Sequence, residues 1–101
     1  MAVKEELQKQ QFFWNVSIKR CVANANLPKD VKHSLIALVR EIEICGPVRG
    51  NWPNYSKLSR DVHHCHLKKG KPTYVAVWEV RDKKVRIVEV TYAGTHEKAP
   101  Y

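Results

Sequence analysis

The apolar positions along this chain change period more than once, and each change marks an element. In FFWNVSIKRCV, Trp14, Val16 and Ile18 alternate with Asn15, Ser17 and Lys19, the two-residue period of a half-buried strand. Leu7, Trp14, Ile18, Cys21, Val22 and Ala25 also fall at helical spacing, so the pattern leaves a helix through Ala25 open. The strand is the preferred reading because β-branched and aromatic residues dominate the segment. Ahead of it, residues 1–11 are polar and helix-prone with no strong apolar stripe, and predict an N-terminal helical extension.

The segment NLPKDVKHSLIALVREIEICGP places Val31, Leu35, Leu38, Val39, Ile42 and Cys45 on one helical face. Pro28 sits at its start, where a missing N–H costs nothing, and Gly46-Pro47 ends it. An amphipathic helix of about four turns follows, with His33 on its solvated side. The loop PVRGNWPNYSKL carries Trp52 and Tyr55, and three strand-like runs succeed it at 62–68, 73–80 and 84–92. Lys69-Gly70-Lys71-Pro72 and Arg81-Asp82-Lys83 are short enough to join these runs as hairpins. The fold class expected is α+β: a single domain over residues 1–101, with an N-terminal strand and helices packed on an antiparallel sheet that ends in a three-stranded meander.

The composition, 44% hydrophobic and 28% charged, is that of a globular domain. Its net charge of +8 is uneven: residues 1–50 carry eight basic and five acidic side chains, residues 51–101 ten and five. A field of that sign favours phosphate backbones, acidic proteins or anionic membranes. Cys21, Cys45 and Cys65 are odd in number and lack C-x-x-C spacing, which points away from a disulfide framework and toward the reducing cytoplasm. The start is too polar for a signal peptide, and the run SLIALV is too short to span a bilayer. A cytoplasmic protein without a membrane partner is expected.

DVHHCHLKKGKPTY concentrates three of the five histidines around Cys65. On a strand, His63, Cys65 and Leu67 share one face, and Val62, His64, His66 and Lys68 share the other. Leu67 and Cys65 read as core, so His64 and His66 face outward, their Cα atoms about 6.6 Å apart at ~3.3 Å per residue. That alternation removes Cys65 from any zinc site His64 and His66 would build; neither a metal nor any other cofactor is expected. Exposed histidines on an ordinary strand remain an open reading. The other is acid/base cleavage of RNA, which needs one group to take the 2′-hydroxyl proton, another to protonate the leaving oxygen, and cations about the phosphate. His64, His66 and His96 suit the proton roles. Lys57, Arg60, Lys68, Lys69 and Lys71 would supply charge, and Tyr74, Trp52 or Tyr55 a stacking surface. The tail GTHEKAPY adds Lys98 and Tyr101, and strand order decides whether it returns beside residues 62–68.

NLPKDVKHSLIALVREIEICGP, NWPNYSKL, VHHCHL, YVAVWEV and GTHEKAPY together resemble the RelE superfamily of toxins from bacterial type II toxin-antitoxin pairs, over roughly Trp14 to Tyr101. The resemblance implies metal-independent cleavage of mRNA, in most members in the ribosomal A site, with a cognate antitoxin as partner. His66 falls where members carry Arg or His on the first meander strand. His96 falls where they carry His or Arg after the last strand, in a stretch similar to the G-T-H ending of the YafQ-like branch. Tyr101 lies near a C-terminal Tyr seen in several members. Many members also place an Arg early in the second meander strand, where this chain reads Thr73-Tyr74-Val75, so the phosphate would fall to Lys68, Lys69 or Lys71. The helix expected after the first strand is shortened to Val22–Asn26. A non-enzymatic protein on the same scaffold, either a gyrase poison of the ParE kind or a decayed toxin that only binds antitoxin or RNA, is the alternative.

Overall fold

The computed structural model describes residues 13–101; the helical extension expected over 1–11 lies outside them. Strand β1 (Asn15–Ile18) leads into a one-turn helix, α1 (Arg20–Ala23), and then into α2 (Lys29–Cys45). A two-residue strand β2 (Ser56–Lys57) precedes the meander of β3 (Val62–Lys68), β4 (Tyr74–Asp82) and β5 (Ile87–Thr95), and a 3-10 turn (His96–Lys98) follows. The α+β class is as expected, with one five-stranded sheet in the order β1-β5-β4-β3-β2. The sheet is mixed rather than wholly antiparallel, because β1 pairs parallel to β5, Asn15 opposite Ile87 and Ile18 opposite Val90. The helical segment carries the chain back across the sheet, so after two hairpin reversals β5 runs in the direction of β1.

Helix α2 covers one face. Val31, Leu35, Leu38 and Ile42 are buried at i, i+4, i+7 and i+11, and they meet Cys65, Leu67, Ala76, Trp78, Val80, Val88 and Val90 in one core. Cys45 is exposed, so the buried stripe stops at Ile42, one turn short of the sequence expectation. Cys21 is exposed too, on α1. Gly46 ends the helix at φ 94°, donating to the Ile42 carbonyl at 2.8 Å, a conformation in which a Cβ is strained. Trp14 closes over this corner and donates its amide to the Glu43 carbonyl at 2.8 Å.

The β4–β5 connection lies later than the expected 81–83. Asp82 stays in β4, and its Oδ1 accepts from the amides of Lys84 (2.9 Å) and Val85 (3.1 Å), with Arg86 at φ 57°. That local carboxylate capping draws the turn to residues 83–86 and moves β5 three residues along from the expected start. Among the described residues no helix is long and apolar enough to cross a membrane.

Trp78 is fully buried in β4 and donates its indole N–H to the Pro47 carbonyl at 2.9 Å. His63 stacks on it nearly parallel, 6° and 5.8 Å between centroids, and the Tyr55 hydroxyl lies 2.6 Å from His63 Nδ1. Tyr55 and Trp52 therefore belong to the structure of the 47–55 loop; the Trp52 indole and the Asn51 and Arg49 side chains all donate to Glu41 Oε1. Burial, then Lys57, pushes the His63 imidazole below its ordinary 6.5. The unfolded chain binds a proton there at a higher pH than the folded one, so stability is lost as the pH falls below 6.5 toward the folded value. Urea unfolding at pH 8 and pH 5 is expected to show that loss, with a smaller difference for His63→Phe, which also gives up the Tyr55 hydrogen bond at a cost of about 1 kcal/mol.

Candidate functional site

The face of the sheet opposite α2 holds the histidines. Two rows cross it: His66, Val75 and Gly94 lie abreast on β3, β4 and β5, and one step along lie His64, Val77 and Tyr92. An irregularity in β5 between the partners of Val77 and Trp78 exchanges its faces there. Val88 and Val90 consequently point to the helix, while Tyr92 and Gly94 point to the histidines. Val75 and Val77 form a buried floor.

The tail closes over this floor. His96 donates its amide to the Thr73 carbonyl at 2.8 Å, which continues the β5–β4 ladder and holds the 3-10 turn beside His66. The rings of His66 and His96 are 5.7 Å apart, His64 and His66 6.2 Å, His96 and Tyr101 6.0 Å, and His64 and Tyr101 4.9 Å. His64, His66, His96 and Tyr101 thus stand as a quadrilateral of four rings. His64 faces away from the helix but is buried, at 9% exposure, because the strand β2 and the tail cover it. Its Nδ1 lies 3.3 Å from the Ser56 carbonyl and 3.1 Å from Ser56 Oγ. A carbonyl only accepts, so the hydrogen-bond pattern places a proton on Nδ1.

Beside the ring cluster opens a cleft of about 630 Å³, lined by His66, the 70–73 turn, His96 and Glu97. Burial first, then the positive charge of His64, His96 and Lys69, holds the His66 imidazole below its ordinary 6.5. Burial, with Tyr92 and Cys65 adding, raises the Tyr101 phenol above its ordinary 10 and keeps it protonated at neutral pH. A base held toward its neutral form and a retained phenolic proton therefore stand in one ring cluster, from which His66 and His96 line the cleft.

The expected cations divide. Lys71 lines the cleft, Lys69 acts on His66, and Lys98 stands in the 3-10 turn, none of them ion-paired with a described residue. Lys68 does not join them. A register shift between His66 and Lys68 leaves Leu67 without a partner in β4 and rotates Lys68 to the helix side. There its Nζ bonds Asp30 Oδ2 at 2.6 Å. Tyr74, opposite Lys68, packs against the core for the same reason. Lys57 pairs with His63 on the helix side, and Arg60 lies in the turn entering β3, at the end away from His66. These four are corrections to the sequence reading. His33 is exposed on α2.

Ser56, Tyr92, Gly94 and Glu97 belong to the site and were not singled out from sequence. Only Gly94 left a signal, a lone glycine inside the strand run EVTYAGT. Cys65 faces the helix, buried, with its thiol pushed up to about 12, and it is inert. Among the described residues no group of three or more His, Cys, Asp or Glu is placed to hold a metal ion. No family model matches the chain, nor does any curated protein or solved structure.

A Cβ on Gly94 would lie 2.7 Å from Tyr92 Oη, whose hydroxyl donates to the Thr95 carbonyl at 2.7 Å. Gly94→Ala must displace that phenol and the tail it anchors. The expected outcome is a loss of about 1–3 kcal/mol in urea unfolding, with shifted His66 and His96 ring signals in proton NMR. Unchanged stability and unchanged signals would show that Gly94 does not set the tail.

Proposed function

We propose that this chain is a metal-independent endoribonuclease, the toxin of a toxin-antitoxin pair, acting in the cytoplasm on ribosome-bound mRNA. The observation that carries the reading is the ring cluster: two imidazoles 5.7 Å apart, the Tyr101 phenol beside them and lysines at the rim. Cleavage then needs only proton transfers. The neutral His66 imidazole takes the proton of the ribose 2′-hydroxyl as the 2′-oxygen bonds to phosphorus. The bond from phosphorus to the 5′-oxygen breaks, and that oxygen takes a proton from the His96 imidazolium. The products are a 2′,3′-cyclic phosphate and a 5′-hydroxyl, with no net change in protons. Tyr101 donates a hydrogen bond to a non-bridging oxygen, while Lys69, Lys71 and Lys98 offset its charge. His64, its Nδ1–H held by Ser56, adds a fixed dipole and helps keep His66 neutral.

The toxin context, with a cognate antitoxin and the ribosome as partners, rests on the resemblance to the RelE superfamily. The missing second-strand Arg is compatible with cleavage here, because Lys71 lines the cleft from the preceding turn and the charge of Lys69 acts on His66.

Cleavage of an RNA oligonucleotide is expected to persist in EDTA. His66→Ala and His96→Ala are each expected to lower kcat/KM by roughly 10²- to 10⁴-fold. The acid limb of the wild-type pH profile should lie below 6.5, since His66 acts as a base and is lost when protonated. A double variant that cleaves like wild type would sink the assignment. Growth arrest with intact mRNA would favour a non-enzymatic binder on this scaffold.

A further inference from the structure

Glu97 is the one carboxylate lining the cleft, and it forms no hydrogen bond or ion pair with any described residue. It shares the cleft lining with Lys71 and the 3-10 turn with Lys98, and there it works against the binding of a phosphate. Its presence fits a ligand that brings hydrogen-bond donors as well as negative charge. An ionised carboxylate is acceptor-only, and the four RNA bases differ in what they offer it.

Guanine presents N1–H and the N2 amino group side by side, two donors with no acceptor between them. Adenine places its N6 donor next to the N1 acceptor, and cytosine its N4 donor next to N3. Uracil flanks its single N3–H with two carbonyl oxygens. A carboxylate pairs with guanine through both oxygens and with each other base through one, while the second oxygen faces a lone pair. We infer that Glu97 reads the Watson–Crick edge of guanine, so that the cleft takes a guanosine nucleotide of RNA; the inference rests on the ribonuclease reading.

The placement agrees with that assignment. His66 and His96, the proposed proton-transfer pair, flank the phosphate end of the cleft, and Glu97 follows His96 in a 3-10 turn, where successive side chains diverge by about 120°. The carboxylate therefore lines the cleft next to His96 without sharing its direction, beside the proposed phosphate site and not on it. Pro72 supplies an apolar surface on the cleft wall for the face of the base. The cleft volume of about 630 Å³ accommodates a purine nucleotide, within the roughly 300–1,000 Å³ usual for ligand sites.

Titration of the full chain with 3′-GMP, 3′-AMP, 3′-CMP and 3′-UMP, followed by the histidine ring signals in NMR, tests this directly. Wild type should bind 3′-GMP about 5- to 100-fold more tightly than the others, the discrimination of one bidentate base contact. Glu97→Gln replaces one acceptor by a donor, so it should lose the guanine preference and gain affinity for 3′-AMP and 3′-CMP, whose edges pair a donor with an acceptor. A merely structural role for Glu97 would not move preference from one base to another. Equal affinities in wild type, or an unchanged order in Glu97→Gln, would overturn the inference. The same protein assayed on RNA separates the two ideas: cleavage without base preference leaves the ribonuclease standing alone, and guanine preference without cleavage leaves the recognition standing alone.

Discussion

The side chains of β3 alternate between two covered faces, and the rest of the site follows from that two-residue period. His63 goes to the helix side, where it stacks between Trp78 and Tyr55 and works as an aromatic plate in the core. His64 and His66 go to the other side, over Val75 and Val77. Because α2 covers only one face, the second face depends on the tail for its cover. The histidines that the strand presents and the histidine that the tail brings thereby meet in one cluster, His64 buried, His66 half-buried and His96 at its exposed edge.

Proximity sets the electrostatics. Imidazoles about 6 Å apart oppose one another's protonation, and His66 feels both neighbours as well as Lys69. Such a cluster keeps at least one neutral nitrogen in a neighbourhood rich in positive charge, where an isolated basic patch would only bind. Lys68 shows the opposite use of a lysine. It is drawn across the sheet to Asp30 in the first turn of α2, tying the strand to the helix and leaving the cleft to lysines further along.

Much of this was legible in sequence. The α2 stripe and the bounds of β3 follow from periodicity because burial on one face is what periodicity records. The juxtaposition of His66 with His96 required the strand order, which no local pattern carries. Lys68 and Tyr74 were misplaced because a bulge at Leu67 breaks the alternation that the reading relied on, and a bulge leaves no composition signal in HLKKG. The late β4–β5 turn was hidden because Asp82 reads as a turn residue, whereas it caps the turn from within the strand. Glu97 and Ser56 were passed over since single polar residues gain meaning only from what the fold sets beside them.

The parallel pairing of β1 with β5 also orders events in time. Asn15 lies opposite Ile87, so a chain emerging from the ribosome cannot complete its sheet until its last strand has been synthesised, and the loop to be closed is nearly the whole domain. Helix α2 can form early, but its apolar face waits for the meander. The strand that completes the sheet is the one that continues directly into His96. Nascent chains therefore carry no assembled ring cluster, which arrives only together with the fold.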